Sequence, residues 1–460
     1  MYSRALVIIL NNDRNFLATE PVGALLFRLS VPAVIAQIIN LLYNIIDRIY
    51  IGHMPGEGAL ALTGVGICMP VILIVSAFSS LVSAGASRAS IALGEGNQTK
   101  AEKILGNCIS LLLGISAVLT VCLFIWCRPM LMAFGGSSNT IEYAVSYMKI
   151  YALGTVFVQM TLGMNAFITA QGFSKISMLT VLIGAVLNIL LDPIFIYAFH
   201  MGVKGAALAT IISQCISCIW VISFLISKKS SIRLKKQNLF PEFSVIWNCV
   251  SLGIAPFIMQ GSESVISVCF NSSLQKYGGD LAVGAMTILT STMSFAMLPI
   301  QGIAQGAQPI SGYNYGAGNA SRVRETFRLL LKICCSYAFV FWAAVMLFPG
   351  TFASIFTSDI ELRTFSAKAL RIYLGVLFLF GIQMSCQMTF ISLGNALSSA
   401  IVAIVRKFVL LLPLIYIMPH VIPDKAFAVY WAEPAADVLA VTFTAILFSK
   451  QFKKALNKIS

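Results

Sequence analysis

Charged residues are scarce in this 460-residue chain. They make up 10% of the sequence, whereas hydrophobic residues make up 58% and the mean hydropathy is +0.88. A soluble domain covers itself with a polar surface that this composition cannot supply. The scarcity of charge therefore excludes a soluble globular protein and indicates a chain folded within a membrane.

Two further absences concern energy and metal chemistry. The phosphate-binding sequence GxxxxGK[ST] is missing, and the dipeptide Gly-Lys occurs nowhere in the chain. ATP is therefore excluded as a direct energy source, and any pumping must use an ion gradient, with no other cofactor. The 11 cysteines are an odd number and nearly all lie in apolar segments. Cysteine acting as a small buried hydrophobe is thus favoured over a metal or disulfide site.

Long apolar segments account for most of the chain. Each is about 20 residues long, the length that a helix needs to cross a bilayer. We predict twelve spans, at 29–52, 59–82, 105–127, 147–170, 176–199, 205–227, 247–270, 281–305, 329–349, 369–392, 398–418 and 426–449. The connections are short and leave no room for a folded domain outside the membrane. The sequence thus predicts an all-α, multi-pass integral membrane protein that is not an enzyme.

The basic residues predict the orientation of the spans. The amino terminus (Arg4, Arg14 and Arg28), the even-numbered loops and the carboxyl terminus hold 20 of the 31 Lys and Arg residues. Such residues concentrate on the cytoplasmic side of a membrane. We therefore expect both termini to be cytoplasmic and the protein to lie in the plasma (bacterial inner) membrane. The basic residues lack interleaved aromatic platforms, so we expect no nucleic-acid partner.

Short sequence echoes indicate an internal repeat. LSVPAVIAQ, which starts at residue 29, returns as LGIAPFIMQ at residue 252, and GEGNQTK at residue 94 returns as GAGNASR at residue 316. Both echoes have nearly the same separation along the chain and fall at the same point of a six-span pattern. We predict two homologous six-helix bundles, formed by residues 1–235 and 236–460. Because each bundle has an even number of spans, the two share one orientation and are related by a pseudo-twofold axis along the membrane normal. A cavity between two such bundles suits alternating-access transport.

Carboxylates inside the spans are the most informative residues. On insertion scales each costs about 2.5–3.5 kcal/mol at the bilayer centre, so such residues are rarely present without a role. Five acids qualify: Asp47, Asp192, Glu263, Glu433 and Asp437. Glu263 has only apolar neighbours in its own span, which predicts that it either titrates or contacts substrate.

Two spans place polar residues on one helix face. Asn40, Tyr43, Asn44 and Asp47 recur at spacings of three and four, and Asn188 and Asp192 lie four apart. With the hydroxyl of Thr210, these groups could surround a proton or a cation such as Na⁺, which prefers hard oxygen ligands. The alternative is that they bridge helices by hydrogen bonds and bind no ion.

Two other features of the spans have both a functional and a structural interpretation. Pro32 lies within the first span, where it predicts either a bending point or a fixed kink that serves packing. Met286, Met293 and Met297 share one face of the eighth span, which suits either an adaptable drug pocket or ordinary packing.

Several motifs resemble one family. The two-half, twelve-span pattern, YNIIDRIYIG, NILLDPIFI followed by GAALAT, the GEGN and GAGN loops and WAEPAAD are similar to the multidrug and toxic compound extrusion (MATE) family, in its MepA-like bacterial branch. The resemblance implies cation-driven antiport that exports amphipathic, often cationic drugs. It also implies that Asp47, Asn188, Asp192 and Thr210 form an amino-lobe cation site.

The carboxyl lobe matches this family less completely. Glu263 resembles the acid found there in other branches. Gln383, Ser385 and Gln387 stand in the tenth span, where some members have a second carboxylate. We therefore place coupling in the amino lobe.

Two other functional classes fit the sequence less well than drug antiport. A flippase for lipid-linked precursors belongs to the same superfamily, and it needs several cationic residues in its central cavity to hold a pyrophosphate. The intramembrane charges here are mainly acidic, with Arg406 and Lys407 the chief exceptions. A receptor or channel would not need two bundles with separate acid sites. We expect a monomer whose partners are drugs and the lipid bilayer.

Overall fold

The chain forms helices joined by short turns in a computed structural model that describes residues 16–54, 58–357 and 359–459. Arg4 and Arg14, used above for orientation, lie outside the described residues. The first half comprises α1 (Phe16–Thr19), α2 (Val22–Gly52), α3 (Gly58–Ser83), α4 (Gly85–Gly94), α5 (Gln98–Ala133), α6 (Ile141–Leu153), α7 (Thr155–Ala170), α8 (Ser174–Pro193) and α9 (Val203–Ile226). A π-helical turn, Ile194–Ala198, extends α8.

The second half repeats this arrangement. It comprises α10 (Phe243–Gly316), α11 (Ala320–Leu347), α12 (Pro349–Phe356), α13 (Ile360–Tyr373), α14 (Phe380–Ser392), α15 (Ala396–Ile404), α16 (Leu412–Val421) and α17 (Lys425–Asn457). A π-helical segment, Val405–Leu411, joins α15 to α16.

The helices supply the twelve spans that the sequence predicts. Nine helical segments of the described chain are long and apolar enough to cross a membrane, and two bent pairs, α6 with α7 (59°) and α13 with α14 (42°), each supply another. The 74-residue α10 comprises two spans, because its helical conformation breaks at Gly279 with φ 63° and ψ −161°. Glycine adopts this positive φ without the steric strain of a side chain.

Matching turns relate the two halves. Gly96 and Gly318, which follow the GEGN and GAGN echoes at equivalent positions, have φ values of 73° and 74°. Gly172 and Gly394 are related by the same offset along the chain, with φ values of 86° and 70°. Each of the four lies just beyond the carboxyl end of a helix, where a left-handed glycine is favoured. The repeated echoes thus correspond to repeated helix ends.

Each half has its own hydrophobic core, and the start of α2 belongs to the other half. Leu25, Leu26 and Leu29 pack in the core of the carboxyl half, whereas Ile51, at the far end of α2, packs in the core of the amino half. We call residues 16–242 the amino lobe and residues 243–459 the carboxyl lobe. Large apolar side chains such as Val118 remain exposed on the outside, as lipid contact requires.

The lobes meet at the end of the molecule that carries the Gly96 and Gly318 turns. A Cβ atom on Gly94 would overlap the carbonyl oxygen of Tyr313, and a Cβ atom on Gly316 would overlap that of Ile91. Since Tyr313 and Ile91 are related by the offset that relates the turns, these contacts are equivalent under the pseudo-twofold relation. Only glycine allows the backbones to approach this closely.

Polar contacts reinforce this closure. Gln308 Nε2 donates to Ser87 Oγ at 2.7 Å, and Ser90 Oγ donates to the Pro309 carbonyl at 3.3 Å. Gly306, in the second half of α10, packs directly on the backbone of Ser30 in α2. The lobes are therefore closed at this end.

The connection between the lobes is fastened to the amino lobe. Gln171 Oε1 accepts hydrogen bonds from Ser230 Oγ and from the backbone N–H groups of Ser231 and Ile232. Asn107 Oδ1 accepts from the Glu242 N–H at 2.6 Å. Residues 227–242 therefore follow the surface of the amino lobe.

Candidate cation site and its carboxyl-lobe counterpart

Two carboxylates from different helices meet inside the amino lobe. Asp47 lies in the last third of α2 and Asp192 at the end of α8, and their carboxyl groups lie within hydrogen-bonding reach of each other. Asp47 is 7% exposed and Asp192 is fully buried. Two carboxylates this close cannot both stay charged without a cation between them, so the pair holds either a shared proton or a bound cation.

An amide and a hydroxyl complete the group. Asn188 Nδ2 donates to Asp192 Oδ1 at 3.3 Å and lies 3.4 Å from Thr210 Oγ1. Thr210 Oγ1 itself donates to the Ala206 carbonyl at 3.0 Å, which leaves its lone pairs available. The structure therefore brings together all four residues that the sequence assigned to one cation site.

Three buried oxygens of this group have no hydrogen-bond partner among the described residues: Asp47 Oδ1, Asn188 Oδ1 and Asp192 Oδ2. Buried polar atoms are normally paired, so these oxygens have the capacity to bind an additional ligand. Carboxylate, amide and hydroxyl oxygens suit Na⁺ or a proton. The described part of the chain holds no cluster of three or more His, Cys, Asp or Glu side chains, as a transition metal would prefer.

Tyrosines surround the acid pair. Tyr43, on the polar face of α2, lies beside both carboxylates. Sequence reasoning missed Tyr147 and Tyr151 of α6, whose rings stack with centroids 6.3 Å apart. Tyr147 contacts Thr210 and lies near Asp47. Their spacing of four residues places them on one helix face, but a tyrosine pair in an apolar span gives no indication of what it faces.

Asn40 and Asn44 play different parts from the four central residues. Asn44 Nδ2 donates to the Asn40 carbonyl at 2.6 Å, so its amide is engaged along its own helix. The side chain of Asn40 lines a neighbouring cavity. Neither asparagine contributes one of the unpaired oxygens of the site.

The cavity beside the acid pair has a volume of about 340 Å³. It lies within the amino lobe and reaches the interface with the carboxyl lobe. Its lining carries no charged side chain, and its polar members are Gln37, Asn40, Tyr43, Ser80, Ser83, Ser87, Ser90, Thr161, Asn165, Thr169, Ser174, Ser177, Thr180, Asn188, Thr210, Ser213, Gln214, Ser217, Gln305 and Gln308. The cavity is thus polar and neutral, with the acid site at one side.

The carboxyl lobe holds its acids differently. Arg406 Nε donates to Asp437 at 2.9 Å, and its other nitrogen donates to Glu433 at 2.9 Å. The Arg406 guanidinium also stacks on the Phe380 ring at 4.8 Å. All three charged side chains are at least nine-tenths buried. Arginine is suited to such a cluster because its planar fork bonds two acceptors at once.

Glu263 has a cationic partner too. Lys407 Nζ lies 2.6 Å from Glu263 Oε1, with the lysine side chain 6% exposed and the glutamate side chain 55% exposed. The partner comes from a span 144 residues away, so inspection of the seventh span alone could not reveal it. Glu263 is therefore a half-exposed member of an ion pair.

Other sequence-predicted positions have plain structural places. Pro32 is buried inside α2, which runs without a break from Val22 to Gly52. Met286 is buried, and Met293 and Met297 pack against the same core, so the packing interpretation of these methionines is correct. Gln387 donates to Ser399 Oγ at 2.8 Å and to the Ser399 carbonyl, which gives the tenth span a buried hydrogen-bonded amide.

A family model described as MatE matches residues 32–194 and 256–417 of this chain. The two matches together cover more than half of the sequence, one in each lobe. The chain belongs to the MatE family.

Individual relatives match over nearly the full length. The multidrug export protein MepA of Staphylococcus haemolyticus is 26% identical over 94% of this chain and 94% of its own length. The MATE multidrug transporter DinF-BH, solved in complex with a drug ligand, is 35% identical, with a TM-score of 0.86 over 94% of this chain and 96% of that chain. The outward-facing structure of a multidrug resistance MATE transporter is 23% identical, with a TM-score of 0.89 over 97% of this chain and 99% of that chain.

These matches confirm several predictions. The MATE fold with twelve helices, the membership of the MATE family and the assignment as a transporter rather than an enzyme are correct. The interpretation as a multidrug efflux transporter is also confirmed.

Proposed function

We propose that this MatE-family chain is a secondary antiporter that exports amphipathic, often cationic drugs in exchange for H⁺ or Na⁺. The observation that carries the proposal is the buried Asp47–Asp192 pair with its unpaired oxygens. A site of this kind binds a cation or protons, and its occupancy changes the charge inside the amino lobe. That change can bias which side of the membrane the lobes open to.

The substrate class follows from charge. The cavity between the lobes is lined by neutral polar groups, with the acid pair and the half-exposed Glu263 as nearby charges. A low-dielectric cavity with negative charge favours cations. The related DinF-BH was solved with a bound drug ligand, which supports organic drugs as substrates of this chain.

The proposed orientation places both termini in the cytoplasm of a bacterial inner membrane. The basic residues supply the argument, because Lys and Arg concentrate in cytoplasmic loops. The lobes are closed at the end that carries the carboxyl terminus and the interlobe connection, which corresponds to an outward-facing state in this orientation. We propose that the chain works as a monomer, since each chain contains both lobes.

A flippase for lipid-linked precursors is less well supported. Such a protein needs free cations to hold a pyrophosphate. Arg406 and Lys407, the two cations buried within the carboxyl lobe, are both engaged by carboxylates. They are therefore poorly suited to hold a phosphate group.

The decisive experiment uses Asp47→Asn in proteoliposomes. Asparagine keeps the shape and hydrogen-bonding capacity of aspartate but cannot change charge. We expect normal membrane insertion, retained drug binding and nearly abolished gradient-driven export, with Asp192→Asn behaving similarly because both belong to one site. Imposed pH and Na⁺ gradients, applied separately, identify the ion. Export at the parental rate with unchanged gradient dependence would show that the carboxylate only bridges helices.

A further inference from the structure

The amino-lobe cavity extends well beyond the acid pair. Asn188, next to the acids, and Ser174, at the first turn of α8, both line it. The stretch of α8 between them measures about 21 Å at a helical rise of about 1.5 Å per residue. The cavity therefore follows α8 from the candidate cation site to the cytoplasmic end of the lobe.

Unpaired polar atoms mark the whole length of this cavity. Asn188 Oδ1, Gln214 Oε1, Asn165 Oδ1 and Ser174 Oγ have no hydrogen-bond partner within the described residues, although each atom is buried. Ser174 itself is only 3% exposed. Buried polar atoms in a roomy polar cavity are satisfied by water or by a bound ion. These four atoms lie on α7, α8 and α9, so three helices contribute to one hydrated path.

Hydroxyl groups connect these positions. Thr169 Oγ1 donates to Ser177 Oγ at 2.9 Å near the cytoplasmic end, and Ser217 Oγ donates to the Thr180 carbonyl at 3.2 Å further along. Hydroxyls both donate and accept hydrogen bonds. Such a lining accommodates a hydrated cation or a proton-conducting chain of water without a charged residue that would trap it.

The carboxyl lobe has no such path at the equivalent place. At the offset that relates Gly172 to Gly394, Ala396 replaces Ser174 and Val402 replaces Thr180. The polar pair nearest the turn is shared, because Asn165 donates to the Ser177 carbonyl and its counterpart in the tenth span donates to that of Ser399. The polar path is therefore a feature of the lobe that holds the acid pair.

Helix α1 covers the cytoplasmic end of the path. A Cβ atom on Gly172, in the turn just before Ser174, would overlap the ring of Phe16. The carboxyl lobe holds this helix in place, because Arg322 donates to the carbonyls of Leu17 (3.1 Å) and Glu20 (2.6 Å). Residues 16–20, which we call the strap, thus contact both lobes where they are closed.

We propose that the inner part of the amino-lobe cavity is the passage by which the coupling cation or proton leaves for the cytoplasm, and that the strap seals it while the lobes are closed there. Separation of the lobes moves Arg322 away from the amino lobe and withdraws Phe16 from the Gly172 turn. The seal prevents the ion from leaking through the outward-facing state. The inference rests on the proposed cation antiport.

Ser177→Leu tests the passage, because leucine fills a position that lines the cavity without touching the acid pair. In proteoliposomes we expect ion-driven drug efflux to fall about tenfold or more, a barrier increase of about 1.4 kcal/mol. Drug/drug exchange, which needs no ion release, should stay at the parental rate. The matched control is Ser223→Leu, at an exposed serine of α9 that does not line the cavity.

The outcomes separate the two proposals. If the parental protein responds to neither a pH nor a Na⁺ gradient, the proposed antiport is wrong. If the parental protein responds and Ser177→Leu responds equally, the passage is wrong. Equal loss of efflux and exchange in Ser177→Leu would likewise contradict the passage, since the residue would then act on the whole transport cycle.

Cysteine accessibility tests the seal. Ser174→Cys is treated in inverted vesicles with a small water-soluble thiosulfonate, and labelling of the parental protein with its 11 cysteines is subtracted. Adding Arg322→Gln should raise the labelling rate about tenfold, the effect of losing a hydrogen bond from a charged group. Unchanged labelling would show that the strap does not close this path.

Discussion

The two lobes share a fold but treat their buried acids in opposite ways. Asp47 and Asp192 of the amino lobe lie together with unpaired oxygens. In the carboxyl lobe, Arg406 binds both Glu433 and Asp437, while Lys407 pairs with Glu263. One lobe leaves room for an external cation, and the other supplies its cations from its own chain.

This difference explains how one lobe can couple to an ion while the other provides a fixed frame. A buried carboxylate needs a compensating charge. When that charge is a side chain, it cannot leave, so the electrostatic state of the lobe stays constant. When it is a mobile ion or a proton, its arrival and release change the charge inside the lobe.

The largest effect should come from Arg406→Met, which removes the internal cation of the carboxyl lobe. Two buried carboxylates would lose their partner at once. Breaking a buried ion cluster on one side destabilises a protein by about 3–5 kcal/mol. We expect a marked loss of thermal stability in detergent, measured as the fraction that stays monodisperse after heating.

Two controls sharpen this comparison. The triple variant Arg406→Met/Glu433→Gln/Asp437→Asn removes the whole cluster, so it should recover much of the lost stability. Asp47→Asn should leave thermal stability at or above the parental value, because the amino-lobe pair has no side-chain cation to lose. If Arg406→Met were as stable as the parent, the acids of the carboxyl lobe would not depend on this arginine.

A smaller effect should follow from Gly94→Ala, at a contact where the lobes are alike. A methyl group there would overlap the Tyr313 carbonyl, and overpacking of this kind costs about 1–3 kcal/mol. The cost falls on the form closed at the cytoplasmic end, so the population should shift toward the inward-facing form. Spectroscopic distances between labels on the two lobes at that end would detect the shift.

The pseudo-twofold relation supplies the control for that measurement. Gly316→Ala would overlap Ile91 in the equivalent way, so both variants should shift the distances to a similar extent. Gly114→Ala is neutral by comparison, because a Cβ atom there meets nothing within 4 Å. Unequal shifts at Gly94 and Gly316 would show that the lobes do not contribute equally to closure.

Sequence reasoning located the intramembrane charges but not their partners. Hydropathy shows which residues lie in the bilayer, and a spacing of four residues places Asn188 and Asp192 on one face. Neither property determines which helices are neighbours or how each is rotated. The pairing of Lys407 with Glu263 spans 144 residues, and that of Arg406 with Asp437 spans 31. The repeat was visible because glycine marks the helix ends at Gly96 and Gly318.

The smallest effect distinguishes the two ends of the Glu263–Lys407 pair. Lys407 is almost fully buried, whereas Glu263 is half exposed. Lys407→Met leaves a carboxylate that water can still reach, so we expect a change in stability of less than about 1 kcal/mol, typical of exposed pairs. Glu263→Gln leaves a buried ammonium without its counter-ion, so it should cost about 1–3 kcal/mol. Detergent melting of both variants measures the difference. Drug export adds a second readout, because Glu263→Gln should weaken export of cationic drugs more than that of neutral ones if the exposed carboxylate contacts substrate. Equal melting temperatures would mean that both ends of the pair are equally hydrated, and equal loss for both drug classes would make Glu263 purely structural.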